Sequence, residues 1–384
     1  MKKIINDNWE EVKDGIRAIC KSFPETYWQK LDQENNYPQD FVNELTKSGY
    51  LSALIPEEYG GAGLPLKAAS VILEEIHRCG ANGAACHAQM YIMGSLLKHG
   101  SNELKKKYLP EIAKGNLRLQ AFGVTEPTSG SDTLAIKTSA IKKGSKYIIN
   151  GQKVWTSRAE YSDLLLLLAR SDKSEQKKNN LSLFLIDMRP YINKNIFIKP
   201  IKTMINHSST EIFFDKLEID ENCLIGVQGN GFSYILDGMN AERILIASEC
   251  IGDAKYFIDK ATNYANQRLV FGRPIGKNQS IQFPIARAYA NTKAAELMVQ
   301  EACSLFDNNR TCGEESNLAK LLAADASWEA ADVAMQTFGG YSFAQEYNIE
   351  RKFRETRLYR IAPVSTNMIL AYLSHKVLGM PRSY

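Results

Sequence analysis

The spacing of apolar residues changes twice along this 384-residue chain, and the change limits the folds open to it. Over residues 8–115 they recur every three or four positions, which predicts amphipathic helices. Over residues 119–226 short runs rich in β-branched and aromatic residues alternate with polar turns, which predicts strands. The helical period then returns and continues to Leu378. This order differs from the strand–helix alternation of a parallel nucleotide-binding sheet, so the predicted fold class is a multidomain α+β protein.

The pattern predicts three domains: helical over 1–118, antiparallel β over 119–226 and helical over 227–384. Within them, Asn150-Gly151 is typical of a hairpin turn between strands. Ser171–Asn180 is polar and predicts an exposed loop. Phe232–Gln267 and the Ala-rich Ser316–Gly339 each predict one long helix.

Composition argues against several classes of protein. The formal charge is +4 and is spread along the chain, whereas a nucleic-acid-binding protein concentrates basic residues on one face. The seven cysteines show no C-x-x-C spacing, so neither zinc nor a redox dithiol is predicted, and no metal site is expected. We find no apolar run of about 18 residues and no signal-peptide pattern in MKKIINDNWEEVKDG, so no membrane insertion and a cytoplasmic location are expected.

Four strings carry the most specific signal. They are FGVTEPTSGSD (Phe122–Asp132), NGQKVWTS (Asn150–Ser157), QRLVFGRPIGKNQSIQFPIA (Gln267–Ala286) and QTFGGYSFAQEYNIERKFRE (Gln336–Glu355). Together they resemble the flavin-binding signatures of the acyl-CoA dehydrogenase superfamily, and the resemblance covers nearly the whole chain in order. It implies bound FAD, a central antiparallel β-barrel-like domain and a C-terminal four-helix bundle.

The residue types of the first two strings suit a flavin. A flavin needs backbone donors and hydroxyls along its polar edge and a flat wall for its ring. The strand-to-turn segment that ends in Gly130 offers such donors, while Trp155 offers a wall and Thr156 a hydroxyl. By themselves the same residues also suit a Gly/Ser turn and a core tryptophan.

The resemblance implies a longer set of FAD-binding residues. Arg268 is expected at the pyrophosphate, because its guanidinium can donate two parallel hydrogen bonds. Gly339 and Gly340 are expected to meet FAD from a neighbouring subunit, which implies a homo-oligomer, by resemblance a tetramer. The alternatives are a helix cap for the two glycines and a surface charge for Arg268. The whole set is Phe122, Val124, Thr125, Gly130, Ser131, Trp155, Thr156, Ser157, Arg268, Phe271, Gln279, Gln336, Gly339, Gly340, Ser365 and Thr366.

The catalytic base is expected on the long C-terminal helix. Most family members carry it as a Glu in a C-terminal loop, but Pro363 occupies that position here. Members resembling isovaleryl-CoA dehydrogenase carry it just before an Arg, which here gives Glu242, followed by Arg243. Glu249, two turns further on the same helix face, is the second candidate. The alternative for Glu242 and Arg243 is a solvated or structural ion pair.

Proline at position 363 raises a second question. In the family, a backbone N–H at this position donates to the thioester oxygen, and proline has none. Either the loop shifts by one residue and brings in Val364, or one donor is missing. Losing such a donor costs about 3–4 kcal/mol of transition-state stabilisation.

The resemblance implies an enzyme, an oxidoreductase that converts an acyl-CoA into a 2-enoyl-CoA and passes electrons to an electron-transfer flavoprotein. The acyl group is carried by CoA or by an acyl-carrier protein, in fatty-acid or branched-chain metabolism. Expected substrate contacts are Ser131, Asn240, Arg243, His87 and Tyr91, of which His87 and Tyr91 would shorten the acyl pocket or simply pack in the core. Two alternatives stay open: a flavin monooxygenase or oxidase of the same fold, and a catalytically inactive acyl-thioester binding protein.

Overall fold

The computed structural model describes residues 9–171 and 180–383, so most of the loop predicted over Ser171–Asn180 lies outside it. The helices are α1 Glu10–Lys21, α2 Glu25–Glu34, α3 Gln39–Lys47, α4 Leu66–Arg78, α5 Ala84–His99, α6 Asn102–Lys114, α7 Gly231–Gln267, α8 Gln279–Asp307, α9 Gly313–Phe338, α10 Ile349–Thr356 and α11 Thr366–Tyr372. The strands are β1 Leu119–Gly123, β2 Ser139–Lys143, β3 Lys146–Ser157, β4 Leu164–Arg170, β5 Leu181–Asp187, β6 Ile196–Pro200, β7 Ser209–Asp220, β8 Leu224–Ile225, β9 Leu269–Val270 and β10 Arg273–Pro274.

This succession of elements has the order that the apolar periodicity predicts. The chain also divides into two compact units, each made of segments distant in sequence. The first unit contains residues 9–34, 65–83 and 242–383, and the second contains the described residues of 35–64 and 84–241. The predicted domain boundaries at 118 and 226 stay a prediction.

The first unit is helical, and alanines make its close packing possible. Helices α8 and α9 lie against each other, as do α9 and α10. Ala330 and Ala334 of α9 are buried in one cluster with Phe257 and Ala261 of α7 and Ile349 of α10. Because the separation of packed helices depends on the side chains at their contact, these small residues let the backbones approach.

The second unit is organised around β4, which is buried on both faces. Leu164 and Leu166 lie in a core that includes residues of α5 and α6. Leu165 and Leu167 lie in another core formed mainly by strands. Since successive side chains of a strand point to opposite faces, burial on both faces explains the uninterrupted leucine run.

The sheet of the second unit is mixed, whereas an antiparallel unit was predicted. Its order is β6-β7-β3-β2-β4-β5-β8, with β1 also paired to β4. The pairs β1–β4 and β2–β4 are parallel, and the others are antiparallel. Parallel neighbours require a long connection, and here the β2–β3 hairpin lies in the chain between β1 and β4.

The hairpin predicted at Asn150-Gly151 is wrong. Both residues lie inside β3, and the turn that joins β2 to β3 contains Gly144, with φ of +59°. The pairing of β3 with β7 shifts register between Ile149 and Gly151, where β3 advances two residues and β7 three, so the dipeptide lies opposite a bulge in β7. A Cβ on Gly151 would lie 2.7 Å from the backbone of Thr138, and this close approach requires glycine.

Membrane-spanning helices and metal clusters are both absent from the described residues. None of their helices combines the length and the apolar character needed to cross a bilayer. None of their His, Cys, Asp and Glu side chains form a group of three placed to hold a metal ion.

Candidate functional site

Strand β3 of the second unit has a bulge at Trp155. It pairs Lys153 with Ile212 and Thr156 with Thr210, so β3 advances three residues while β7 advances two. Trp155 has φ of +59°, unusual for a bulky residue, and is 58% exposed, while Thr156 is 1% exposed. The bulge therefore turns the indole of Trp155 outward and the hydroxyl of Thr156 inward. This excludes the alternative that Trp155 packs in the core.

The hydroxyl of Thr156 is buried, and no residue in the described part of the chain hydrogen-bonds to it. The backbone carbonyl of Thr156, in contrast, accepts a hydrogen bond of 2.7 Å from the hydroxyl of Thr210. A buried hydroxyl without a partner costs about 1–3 kcal/mol. A polar ligand atom at Thr156 Oγ1 would remove this cost.

The loop after β1 contains a tight turn that exposes Gly130 and Ser131. Glu126 and Ser129 exchange two backbone hydrogen bonds of 3.0 Å, and the Ser129 hydroxyl donates to the carbonyl of Asp132. Gly130 and Ser131 follow this turn and are exposed. A Cβ on Gly130 would meet nothing within 4 Å, so its backbone borders open space.

A backbone hydrogen bond joins this loop to β3. The N–H of Val154 donates to the carbonyl of Thr125 over 2.9 Å. Phe122 and Val124, both half-buried, immediately precede Thr125, and Ser157 ends β3. The structure thus brings together the residues that the first two strings predict for flavin binding.

A buried ion pair stabilises the loop that follows β1. Lys153 Nζ lies 2.9 Å from Glu126 Oε1 and donates to the carbonyl of Val124 over 2.8 Å. Glu126 also accepts the backbone N–H groups of Lys137 and Thr138, at 2.6 and 2.8 Å. Burial lowers the pKa of Lys153 to about 8 despite the nearby carboxylate. Burial acts to raise the pKa of Glu126, but the charge of Lys153 and these hydrogen bonds bring it below its usual value.

His87 and Tyr91 of α5 lie beside the end of β1. The rings of His87 and Tyr91 are 4.9 Å apart between centroids, and those of Tyr91 and Phe122 are 6.2 Å apart. His87 is buried, and Tyr91 packs against the core that contains Leu164. The two predicted pocket residues therefore lie next to a predicted flavin residue while also packing in the core.

A groove in the first unit brings Arg268 together with Gly339 and Gly340. The guanidinium of Arg268 lies 5.6 Å from the ring centroid of Tyr341, which also lines the groove. Gly339 is the C-cap of α9, with φ of +59°. Since these three residues belong to one groove of one chain, a cofactor that meets the glycines also meets the same chain's Arg268.

Phe271, Gln279 and Gln336 are exposed. Phe271, in the turn between β9 and β10, has a fully exposed side chain and φ of +52°. Gln279 begins α8, and Gln336 lies in the last turn of α9. The three side chains are therefore accessible to a ligand or to another chain.

The described residues fit FAD in each unit separately. In the second unit the buried hydroxyl of Thr156 lacks a partner, and Gly130 borders open space. In the first unit a Cβ on Gly339 or Gly340 would meet nothing within 4 Å, beside the cationic Arg268. Backbone bordering open space next to a guanidinium suits a diphosphate.

Glu242 and Arg243 lie within α7, and both are largely removed from water. Glu242 is 7% exposed, which excludes a solvated ion pair. Burial lowers the pKa of Arg243, and the charge of Glu242 opposes this shift. Asn240, two residues earlier, is half-buried. A shielded carboxylate beside a guanidinium is therefore present where the sequence predicts the base.

Glu249 belongs to a different buried cluster. Its Oε2 lies 3.7 Å from Nε2 of His77, and both side chains are fully buried. The N–H of Gly83 donates to the same Nε2 over 3.0 Å, so the ring proton is assigned to Nδ1, which lies 2.9 Å from Asp253 Oδ1. Glu249 thus belongs to a buried cluster of charged side chains around His77.

The segment before α11 is held by a residue that the sequence did not single out. Lys320 of α9 is fully buried, and its Nζ donates to the carbonyl of Val364 over 2.7 Å. The Ser365 hydroxyl caps α11 by accepting the N–H of Met368, and Thr366 donates to the carbonyl of Arg360. The hydroxyls of Ser365 and Thr366 therefore already make contacts within the chain.

Sequence reasoning missed the buried Lys153 and Lys320, although each occupies an inward position of its element. Lys153 continues the every-second-residue pattern of the buried Tyr147 and Ile149 on β3. Lys320 lies four residues after the buried Ser316 on α9 and four before the buried Ala324. A lysine at an inward position is rare without a partner, and this was the available signal.

Comparison with protein families gives three matches that follow one another along the chain. Residues 6–116 match the acyl-CoA dehydrogenase N-terminal domain, residues 121–217 the middle domain and residues 229–374 the C-terminal domain.

Individual proteins match over nearly the full chain. "Acyl-CoA dehydrogenase fadE12" of Mycobacterium bovis is 30% identical, over 99% of this chain and 98% of that protein. Cyclohex-1-ene-1-carbonyl-CoA dehydrogenase of Syntrophus aciditrophicus is 34% identical, over 92% and 85%. The glutaryl-coenzyme A dehydrogenase–glutaryl-CoA complex has a TM-score of 0.91 at 29% identity, covering all of this chain and 98% of that one.

Proposed function

The chain belongs to the acyl-CoA dehydrogenase family, and from this premise we propose that it oxidises the α,β carbon–carbon bond of an acyl-CoA to give a 2-enoyl-CoA, with Glu242 as the base. The family is one of FAD-dependent oxidoreductases. The observation that supports this chain's assignment is the burial of Glu242 beside Arg243, in a chain with Pro363 at the usual position of the base.

Glu242 accepts the proton that leaves the α-carbon, and its shielding from water suits that task. When bound, FAD supplies the acceptor for the hydride that leaves the β-carbon. The electron pair of the broken α-C–H bond forms the new double bond. Arg243 orients the acyl-thioester end, with Asn240 and Ser131 as further substrate contacts.

The FAD-binding role of the second unit is assigned to Phe122, Val124, Thr125, Gly130, Ser131, Trp155, Thr156 and Ser157. The unpartnered Thr156 hydroxyl supports it. The role of the first unit is assigned to Arg268, Phe271, Gln279, Gln336, Gly339, Gly340, Ser365 and Thr366. The groove that contains Arg268 and the two glycines supports it.

His87 and Tyr91 are proposed to shorten the acyl pocket, which favours short or branched acyl groups. Their contact with Phe122 supports this. Turnover over a series of acyl chain lengths tests the idea, and best activity on long straight chains would reject it.

The proposed assembly is a homotetramer, and the proposed electron acceptor is an electron-transfer flavoprotein in the cytoplasm. The fully exposed Phe271 and the 61% exposed Phe283 support a self-association surface. Sedimentation of the FAD-loaded protein tests the assembly, and a monomer at micromolar concentration would contradict it.

The experiment for the activity is anaerobic addition of acyl-CoA thioesters to the FAD-loaded protein. Bleaching of the flavin together with release of 2-enoyl-CoA is expected. A flavin that stays oxidised with every acyl-CoA would reject the dehydrogenase and favour an oxidase or monooxygenase of the same fold, or an inactive binder.

Glu242→Gln separates the candidate bases. It is expected to lower the rate of flavin reduction by about 10²–10⁴-fold, because the proton acceptor is lost. Glu249→Gln should retain the rate within about tenfold, because Glu249 lies in the His77 cluster. Glu11→Gln, an exposed position on α1, is the control. The opposite order of the first two variants would make Glu249 the base.

A further inference from the structure

The segment Pro363–Ser365 has two backbone N–H groups without a protein acceptor. Proline has none. The N–H groups of Val364 and Ser365 donate to no acceptor among the residues that the structure describes. Both residues are half-buried. A half-buried segment with unpaired donors is suited to bind a ligand oxygen.

The carbonyl of Val364 in this segment accepts a hydrogen bond from a buried lysine of the first unit, Lys320. The only hydrogen-bond acceptor of Lys320 Nζ among the described residues is the carbonyl of Val364, at 2.7 Å. None of their carboxylates lies within 4.0 Å of this nitrogen, although the lysine is fully buried. Burying an ammonium group without a carboxylate partner costs free energy. A buried lysine in this setting therefore indicates a specific role for its contact with Val364.

Peptide geometry connects the two observations. The carbonyl of Val364 and the N–H of Ser365 belong to one planar trans unit and point in opposite directions. Since Lys320 holds the carbonyl toward the buried side, the Ser365 N–H points away from it. A cation on the carbonyl oxygen also withdraws electron density from the peptide and strengthens this N–H as a donor.

Charges near Lys320 place it in the neighbourhood of the proposed base. The pKa of Lys320 is lowered to about 8, mainly by burial, and the positive charges of Arg243 and Arg360 act in the same direction. Cys250 and Asp325 act in the opposite direction. Arg243 directly follows Glu242. The ammonium group, the base and the free donors therefore belong to one region of the first unit.

We propose that Lys320 is a positioning residue that fixes the Val364–Ser365 peptide so that the free backbone N–H of Ser365 binds the thioester carbonyl oxygen of the substrate. The inference rests on the proposed function. It answers how an enzyme with Pro363 in this loop supplies a donor to the oxygen on which negative charge develops during proton abstraction.

The test compares two ligands on the FAD-loaded protein: an acyl-CoA thioester and the S-alkyl-CoA thioether of equal length, which lacks the carbonyl oxygen. Lys320→Met is expected to weaken thioester binding at least tenfold and to leave thioether binding unchanged. It should also slow flavin reduction by the thioester at least tenfold. Lys320→Gln, whose amide can still donate to Val364, should recover part of both losses, and Lys30→Met, at an exposed position of α2, should match wild type.

Equal thioester and thioether affinities in Lys320→Met and wild type would overturn the inference. Loss of FAD, a lower Tm or equal weakening of both ligands would also overturn it, because Lys320 would then be structural. If wild type binds the thioester more tightly but no acyl-CoA bleaches its flavin, the proposed dehydrogenation fails, while the binding comparison still decides the role of Lys320.

Discussion

Lys153 and Glu126 form a buried ion pair in which Nζ and Oε1 are 2.9 Å apart. Each partner also hydrogen-bonds to the backbone. Lys153 donates to the carbonyl of Val124, and Glu126 accepts the N–H groups of Lys137 and Thr138. The pair thus fixes the loop between β1 and β2 at both of its ends. A buried pair of this kind is weak evidence for stability as such, but removing one partner leaves an uncompensated charge.

We expect Lys153→Met to lower the free energy of unfolding by about 3–5 kcal/mol, because Glu126 is left buried without its cation. FAD affinity should fall with it, because the Val124 carbonyl loses its donor. Urea denaturation and FAD titration measure the two effects. The double variant Lys153→Met/Glu126→Gln should lose less than the sum of the single variants, and strict additivity would contradict the pairing.

Thr156→Val should distinguish the contribution of the Thr156 hydroxyl to FAD binding from its contribution to folding stability. The Thr156 hydroxyl has no partner within the described ranges, so its removal should leave the stability of the FAD-free protein unchanged or raise it. FAD binding should weaken roughly tenfold or more, in line with about 1.5 kcal/mol for one hydrogen bond. Thr210→Val is the matched comparison, since it loses a hydrogen bond within the chain and should destabilise the FAD-free protein. Unchanged FAD affinity in Thr156→Val would contradict the assignment.

Elements governed by local periodicity were predictable from the sequence. The helix predicted over Phe232–Gln267 is α7, Gly231–Gln267, because a long amphipathic repeat leaves few alternatives. Asn150-Gly151 was not predictable in the same way, because its pairing with β7 overrides the local turn preference. Parallel pairing of β1 with β4 depends on the path of the intervening chain, which no local pattern records.

The candidate site was predictable where a motif carries it. The first two strings predicted that Thr125 and Thr156 both bind FAD, and the Val154–Thr125 hydrogen bond joins the segments that contain them. The outward turn of Trp155 was not predictable, because it depends on a bulge set by β7. The contact between Lys320 and Val364 joins residues 44 positions apart, which neither spacing nor composition indicates.

Lys320 should also make the free energy of unfolding rise with pH. Its pKa is about 8 in the folded protein, and its ordinary value is 10.5. Between these values the unfolded chain binds more protons than the folded one, so the free energy of unfolding contributed by Lys320 rises with pH. Wild type should therefore gain up to about 3 kcal/mol relative to Lys320→Met between pH 7 and pH 10.5, because a tenfold difference between two proton-binding constants corresponds to about 1.4 kcal/mol. Urea denaturation of the two proteins across this range isolates the lysine, because every other titrating group is common to both. A constant difference between them would mean that the ammonium group keeps its ordinary pKa and is not buried against Val364.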